Sequence, residues 1–298
     1  MITVDQTTHG SVVSEAQCAK TPQTVWVSAM GQSLCMRYFL SSVGGTGMTP
    51  VVFLQGDLDC KADLKNLTCT FPPGAKGVNT DNLAAYADGI SKTDGTTAIY
   101  LGRMGRDGSS GYFALRHTEL ELQITNAALT AIKQRYGYTG YNIYGHSGGA
   151  GLVAALVGLR DDINCDVPAD GFLSVGAKNT GNASFPKYDP VDEIPKIAQS
   201  HSRLLVVTDP HDQTVTIDQQ LPFVEKLEAA HGQVEQFFVD ASGGVDHHFT
   251  TPYASLVMHD CLLGDSNDQI ALDLSKLIEQ RLESAAAKSP DPATQGDQ

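Results

Sequence analysis

Three observations predict an α/β protein with a mainly parallel central sheet flanked by helices. From residue 51 onward, short β-prone runs alternate with longer stretches of helical apolar spacing, the pattern of strands joined by crossover helices. One run, Tyr141-Asn142-Ile143-Tyr144, breaks into Gly145-His146-Ser147-Gly148-Gly149 and then into the small apolar residues Ala150-Gly151-Leu152-Val153. The chain of 298 residues is long enough to bury one substantial core.

In order along the chain, runs 24–29 and 34–40 read as an antiparallel hairpin turning at Gly31-Gln32. Strands follow at 51–54, 97–100, 141–144, 203–208 and 234–239, each rich in Val, Ile, Leu, Phe or Tyr. Helical spacing predicts helices at 81–91, 120–136, 148–159, 217–230, 252–263 and 270–282, the last closing an outer face of the sheet. Two stretches interrupt the alternation. Residues 57–80 carry Cys60 and Cys69 and are too long for an ordinary connection, so they are expected to fold over the site. Residues 177–201 are too few for a large lid. Residues 284–298 lack apolar periodicity and read as a disordered tail behind a single domain, 1–283. No internal repeat is present.

The Gly145-x-Ser147-x-Gly149 run has the form of a nucleophile elbow. A serine at a sharp strand-to-helix turn needs glycine neighbours for close backbone approach, and its hydroxyl projects beside a helix N-terminus. A serine hydroxyl is a poor nucleophile at neutral pH and needs a histidine base oriented by a carboxylate. Candidates follow downstream. The 203–208 strand ends in Asp209-Pro210-His211-Asp212, at the edge where open α/β sheets bind ligands, and the 234–239 strand leads to Asp246-His247-His248-Phe249.

The order serine, acid, histidine, with this alternation around it, resembles the α/β-hydrolase family from about residue 25 to 280, with no large lid domain. The resemblance implies Ser147 as nucleophile and Asp212 as acid, with Asp209 as the alternate because it can equally form a turn beside Pro210. It implies His247 as base, from an Asp-His-aromatic pattern, with His248 as the alternate. The oxyanion donors would be backbone N–H groups of Gly148 and of Asp57, the latter following the 51–54 strand, with Leu58 as the alternate. A carboxylate at Asp57 must then point away from the oxyanion. The activity implied is ester cleavage through an acyl-enzyme, without a cofactor. A serine peptidase or amidase of the same fold is the second reading, and a non-catalytic binding protein the third.

Other motifs were weighed against this one. The glycine-rich segment 102–111 matches neither a P-loop nor a dinucleotide fingerprint and reads as structural, its minority reading being that Arg103 or Arg106 grips a substrate anion. His211, Asp212, His247 and His248 could approach a metal, but no zinc motif occurs and the triad explains these residues more simply, so none is expected.

Lys+Arg 20 against Asp+Glu 34 gives a net charge of −14, which argues against nucleic acid or an anionic membrane as partner; the small-molecule ester substrate is what the resemblance implies. No apolar run approaches transmembrane length. Six cysteines without C-x-x-C spacing allow three bridges in an oxidising compartment: Cys60–Cys69 first, then Cys18–Cys35 and Cys165–Cys261. A secreted or periplasmic protein is expected. The residues from Met1 do not read as a signal peptide, so the sequence would be the mature portion.

Overall fold

A computed structural model describes residues 3–45, 47–74, 79–176, 186–242 and 244–286. After two short helices, α1 (Val4–His9) and α2 (Glu15–Lys20), a hairpin forms from β1 (Thr24–Ala29) and β2 (Gln32–Leu40). Its two-residue turn has positive φ at both Met30 (49°) and Gly31 (75°), the backbone sense that matches strand twist. The strands β3 (Val51–Leu54), β6 (Ala98–Leu101), β7 (Tyr141–His146), β8 (Ile163–Ala169), β9 (Arg203–Thr208) and β10 (Val234–Phe238) run parallel to one another. The eight-stranded order is β1-β2-β6-β3-β7-β8-β9-β10, with β2 antiparallel to both neighbours.

Helices cover both faces. On one, α4 (Glu119–Tyr136), α5 (Gly148–Val157), α6 (Ile194–Ile197) and α7 (Leu221–Ala229) pack Leu120, Leu152, Ile194 and Phe223 onto Val52, Ile143 and Leu204. On the other, α3 (Thr80–Asp94), α8 (Thr251–Leu263) and α9 (Asn267–Ala286) pack Leu83, Val257 and Ile270 onto Phe53, Tyr144 and Val207. Alternation along each strand thus supplies two apolar faces. Thr118 caps α4 by accepting from the Glu121 N–H, and Gly137 in the left-handed region ends it.

β8 is a strand that the pattern reading did not predict. Its sequence Ile-Asn-Cys-Asp-Val-Pro-Ala contains Pro168, which cannot donate to a ladder, and the fully buried Asp166. The helix expected at 217–230 is broken: a 3₁₀ turn at Ile217–Gln219 precedes α7, which begins with Pro222 in its first turn. Residues 57–74 hold a small hairpin, β4 (Lys61–Asp63) and β5 (Thr68–Thr70), clipped by Cys60–Cys69. Bridges Cys18–Cys35 and Cys165–Cys261 join α2 to β2 and β8 to α8. Among the described residues there is no large lid. The expected 177–201 insertion lies partly outside them, as do residues 287–298 of the expected tail, while 284–286 belong to α9. No helix among the described residues is long and apolar enough to cross a membrane.

Candidate active site

Ser147 sits where β7 meets α5, at the centre of the sheet, with φ 55° and ψ −124°, a conformation an L-residue adopts only under constraint. Its N–H donates to the Ala169 carbonyl at the end of β8 (2.9 Å), and its carbonyl accepts from Ala150 (3.0 Å) and Gly151 (3.3 Å). The flanking glycines are obligatory for contact reasons. A Cβ on Gly145 would lie 2.9 Å from the Gly149 carbonyl, and one on Gly149 would lie 2.2 Å from the Leu54 carbonyl. The helix therefore starts pressed against the end of β3.

The acid and histidine loops converge on the same edge. Asp212 is almost fully buried; its Oδ1 accepts the N–H groups of Thr214 (2.7 Å) and Val215 (3.0 Å), and its Oδ2 accepts from His248 Nδ1 at 2.7 Å. Asp209 forms a second pair, with His247 Nδ1 at 3.1 Å, while its oxygens also accept the His211 and Ala241 N–H groups at 2.8 and 2.6 Å. Asp212 thus holds His248, the alternate histidine, and His247 bonds Asp209, the alternate acid. Asp246 and His247 both have left-handed backbone (φ 55° and 57°), and this turn directs the two adjacent histidines to different carboxylates. The Gln213 N–H bonded to the Asp246 carbonyl (3.0 Å) ties the loops together.

His248 is set beside the elbow by His146, the residue before Ser147. The His146 Nε2–H donates to the His248 carbonyl at 2.5 Å, and the two rings lie 4.6 Å apart. Burial, with His248 nearby, pushes the His146 imidazole down to about 4, so it is neutral and a fixed donor at neutral pH. Asp170, at the end of β8, lies beneath. Its Oδ1 accepts the Asp209 N–H (2.9 Å), and burial raises its carboxyl to about 8, against that N–H and helped by the neighbouring Asp212, so it keeps its proton at neutral pH. Sequence reasoning missed His146 and Asp170. The first was visible only as a residue inside the elbow, and the second belonged to the unpredicted strand.

Asp57 lies against the start of α5, at Gly148. Its Oδ1 takes Arg103 Nη1 at 2.6 Å, and its Oδ2 takes His117 Nε2 at 2.6 Å and Arg116 Nε at 3.1 Å. Burial alone would raise this carboxyl, but His117, Arg103 and Arg116 outweigh it and hold it well below the usual carboxylate range. Gly148 packs directly against it, since a Cβ there would meet Asp57 Oδ1 at 2.1 Å. The negative charge beside the expected oxyanion donors is thus compensated by cations. The Asp57 and Leu58 N–H groups donate to no hydrogen bond among the described residues, and Gly148 opens α5, where helical N–H groups are unpaired.

The glycine-rich segment holds this loop from below. Arg106 donates to the Gly56 carbonyl (2.5 Å), and the fully buried Arg103 bonds Glu121, Asp57 and the Gln55 carbonyl. Neither guanidinium is available to a substrate, so the minority reading of these arginines does not hold. A cavity of about 400 Å³ lies beside Asp57, whose carboxylate packs against Gly148, and is lined by Asp57, Leu64, Arg116, His117, Phe172 and Tyr188 among others. The buried Tyr188 hydroxyl has no hydrogen-bond partner among the described residues and stands near the start of α5, by Gly151.

No protein-family profile and no curated protein matches the sequence. Solved structures do match in three dimensions. The acylaminoacyl peptidase of Pyrococcus horikoshii superposes with a TM-score of 0.51 at 15% identity over 80% of this chain, which spans only 41% of the peptidase. An esterase of Pyrococcus furiosus gives 0.52 at 12% identity, covering 85% of this chain and 92% of the esterase. Est1E of Butyrivibrio proteoclasticus, with ferulic acid bound, gives 0.52 at 12% identity, covering 81% and 98%. With the parallel sheet and strand order above, these likenesses establish that the chain has the α/β-hydrolase fold.

Proposed function

We propose that this protein is a serine hydrolase that cleaves carboxylic esters, with Ser147 as nucleophile, His248 as base and Asp212 as its orienting acid. The observation that carries the reading is the strained Ser147 turn beside the hydrogen-bonded line of buried His146, half-buried His248 and buried Asp212. Because His248 Nδ1–H is committed to Asp212, its Nε2 is the nitrogen left to take a proton. Ser147 Oγ attacks the ester carbonyl as His248 takes its proton, and the N–H groups of Gly148 and Asp57, with Leu58 as the alternate, hold the oxyanion. His248 then protonates the departing alcohol. Water, activated by the same base, breaks the acyl-enzyme and frees Ser147. No step needs a cofactor.

The acyl or alcohol group would occupy the cavity against Phe172 and Leu64, within reach of Arg116 and Tyr188. Est1E binds ferulic acid, so hydroxycinnamoyl and other aryl esters are the first substrates to screen. Amide cleavage is the second reading, favoured by the likeness to the acylaminoacyl peptidase; turnover of matched ester and anilide substrates separates the two. Three disulfides support a secreted or periplasmic location.

The test is labelling with a fluorophosphonate probe, the adduct located by peptide mass spectrometry with Ser147→Ala as control. His248→Ala is expected to slow labelling by about 10⁴-fold, and His247→Ala by less than about tenfold. Failure of folded protein to label at Ser147 would sink the hydrolase reading. The opposite ranking of the two histidines would return the base to His247.

A further inference from the structure

We infer that the second carboxylate–histidine pair, which the proposed chemistry does not use, is a binding site for a divalent transition-metal ion, best suited to zinc. Asp209, His211 and His247 come from two loops, and their ligating atoms lie within 4.8 Å of one another. Asp209 Oδ1 is 3.4 Å from His211 Nδ1, and Asp209 Oδ2 is 3.1 Å from His247 Nδ1. Zinc bonds to nitrogen and oxygen of about 2.0–2.1 Å at a tetrahedral angle separate neighbouring ligands by about 3.3 Å, close to each of these distances, one to each Asp209 oxygen, so the carboxylate sits between the two imidazoles it would share the ion with. Asp240, its Oδ1 3.9 Å from the same His247 nitrogen, borders these three ligands, and the fourth position is left to a solvent water.

The donor set suits the ion. Two imidazole nitrogens and one carboxylate give an N₂O set of the kind zinc favours, with its fourth position open to solvent. The orienting contacts are in place: the Asp209 carboxylate is buried and held by the N–H groups of His211 and Ala241, and Asp240 Oδ1 accepts the Ser242 N–H at 2.8 Å. His211 is largely exposed, which leaves an entry path from solvent. On binding, the ion replaces the hydrogen on His247 Nδ1, and the neutral ring carries its hydrogen on Nε2 instead. The consequence is positional. His247 precedes His248, and the ion would clamp the acid loop to the histidine loop whose backbone is left-handed at Asp246 and His247.

The probe is zinc chloride alone, titrated calorimetrically into chelator-treated protein at neutral pH. Saturable binding of about one zinc per chain is expected, weakened at least ~10-fold by His211→Ala and retained in His248→Ala. Because His211 is exposed, its replacement leaves the fold intact, and thermal melting gives a second readout: zinc raises the Tm of the wild type and not of His211→Ala. No saturable binding, or equal binding by His211→Ala, overturns the inference. Loss in His248→Ala with retention in His211→Ala also overturns it, since the ion would then sit among His146, Asp170 and His248, whose ligating atoms likewise converge.

Discussion

Gly148→Ala isolates the contact between the elbow and Asp57. Gly148 does not have positive φ, so by backbone entropy alone the alanine would stabilise the fold by about 0.4–1 kcal/mol. Its Cβ, however, would stand 2.1 Å from Asp57 Oδ1, 2.6 Å from Cγ and 3.0 Å from Arg103 Nη1. Reaching an ordinary separation of about 3.5 Å requires the carboxylate oxygen to retreat by about 1.4 Å. That retreat breaks one or two of the bonds of 2.6, 2.6 and 3.1 Å to Arg103, His117 and Arg116. Charge-assisted bonds contribute about 1.5–3 kcal/mol each, so the expected cost is about 2–5 kcal/mol. Asp57→Gly removes the obstacle but leaves buried cations without their carboxylate, at about 3–5 kcal/mol. In that background Gly148→Ala should cost nothing further, giving a coupling of at least about 2 kcal/mol. Urea denaturation of the four proteins measures this, and fluorophosphonate labelling reports whether the elbow moved. A single mutant as stable as wild type, or strict additivity, refutes the packing argument.

Asp166 is fully buried, with neither oxygen hydrogen-bonded among the described residues, between Ile143 and Leu204 on neighbouring strands, and burial raises its carboxyl well above the usual range. Asp166→Leu should stabilise by about 1–3 kcal/mol. A raised folded pKa means that wild-type stability is fullest below the unfolded value of about 3.9 and falls as pH rises through the folded value, so the advantage of the leucine grows with pH; an advantage that shrinks with pH is the contrary result. Replacing Cys165 and Cys261 by Ala opens a span of 96 residues and should cost about 4–5 kcal/mol, against about 2.5–3 kcal/mol for Cys60 and Cys69 with a span of 9; the reverse order in urea melts would overturn the loop-entropy argument.

The frame of the fold was legible because each strand of the parallel set except β8 is a compact apolar run with a distinct helical stretch after it. β8 escaped because Pro168 and Asp166 violate the pattern that the other strands obey, and both are tolerated only by the surrounding sheet. The elbow was legible because its glycines Gly145 and Gly149 answer contacts with each other, four residues apart, or with the adjoining β3 end. The choice between His247 and His248 was not, because neighbours in sequence differ only by the backbone rotation of a left-handed turn that no residue type demands there. The partners of Asp57 were equally hidden, since Arg103, Arg116 and His117 lie 46 to 60 positions away in the chain.

The bond from His146 to the His248 carbonyl has a consequence for how the site could tolerate change. The span between Ser147 and His248 is gauged by one side chain adjacent to Ser147, rather than by the length of the connection leaving β10. Insertions around Asp240 to Ser242 could alter the rim of the site while the histidine stays docked at the same point. The ruler is carried by the strand, and the loop only has to reach it.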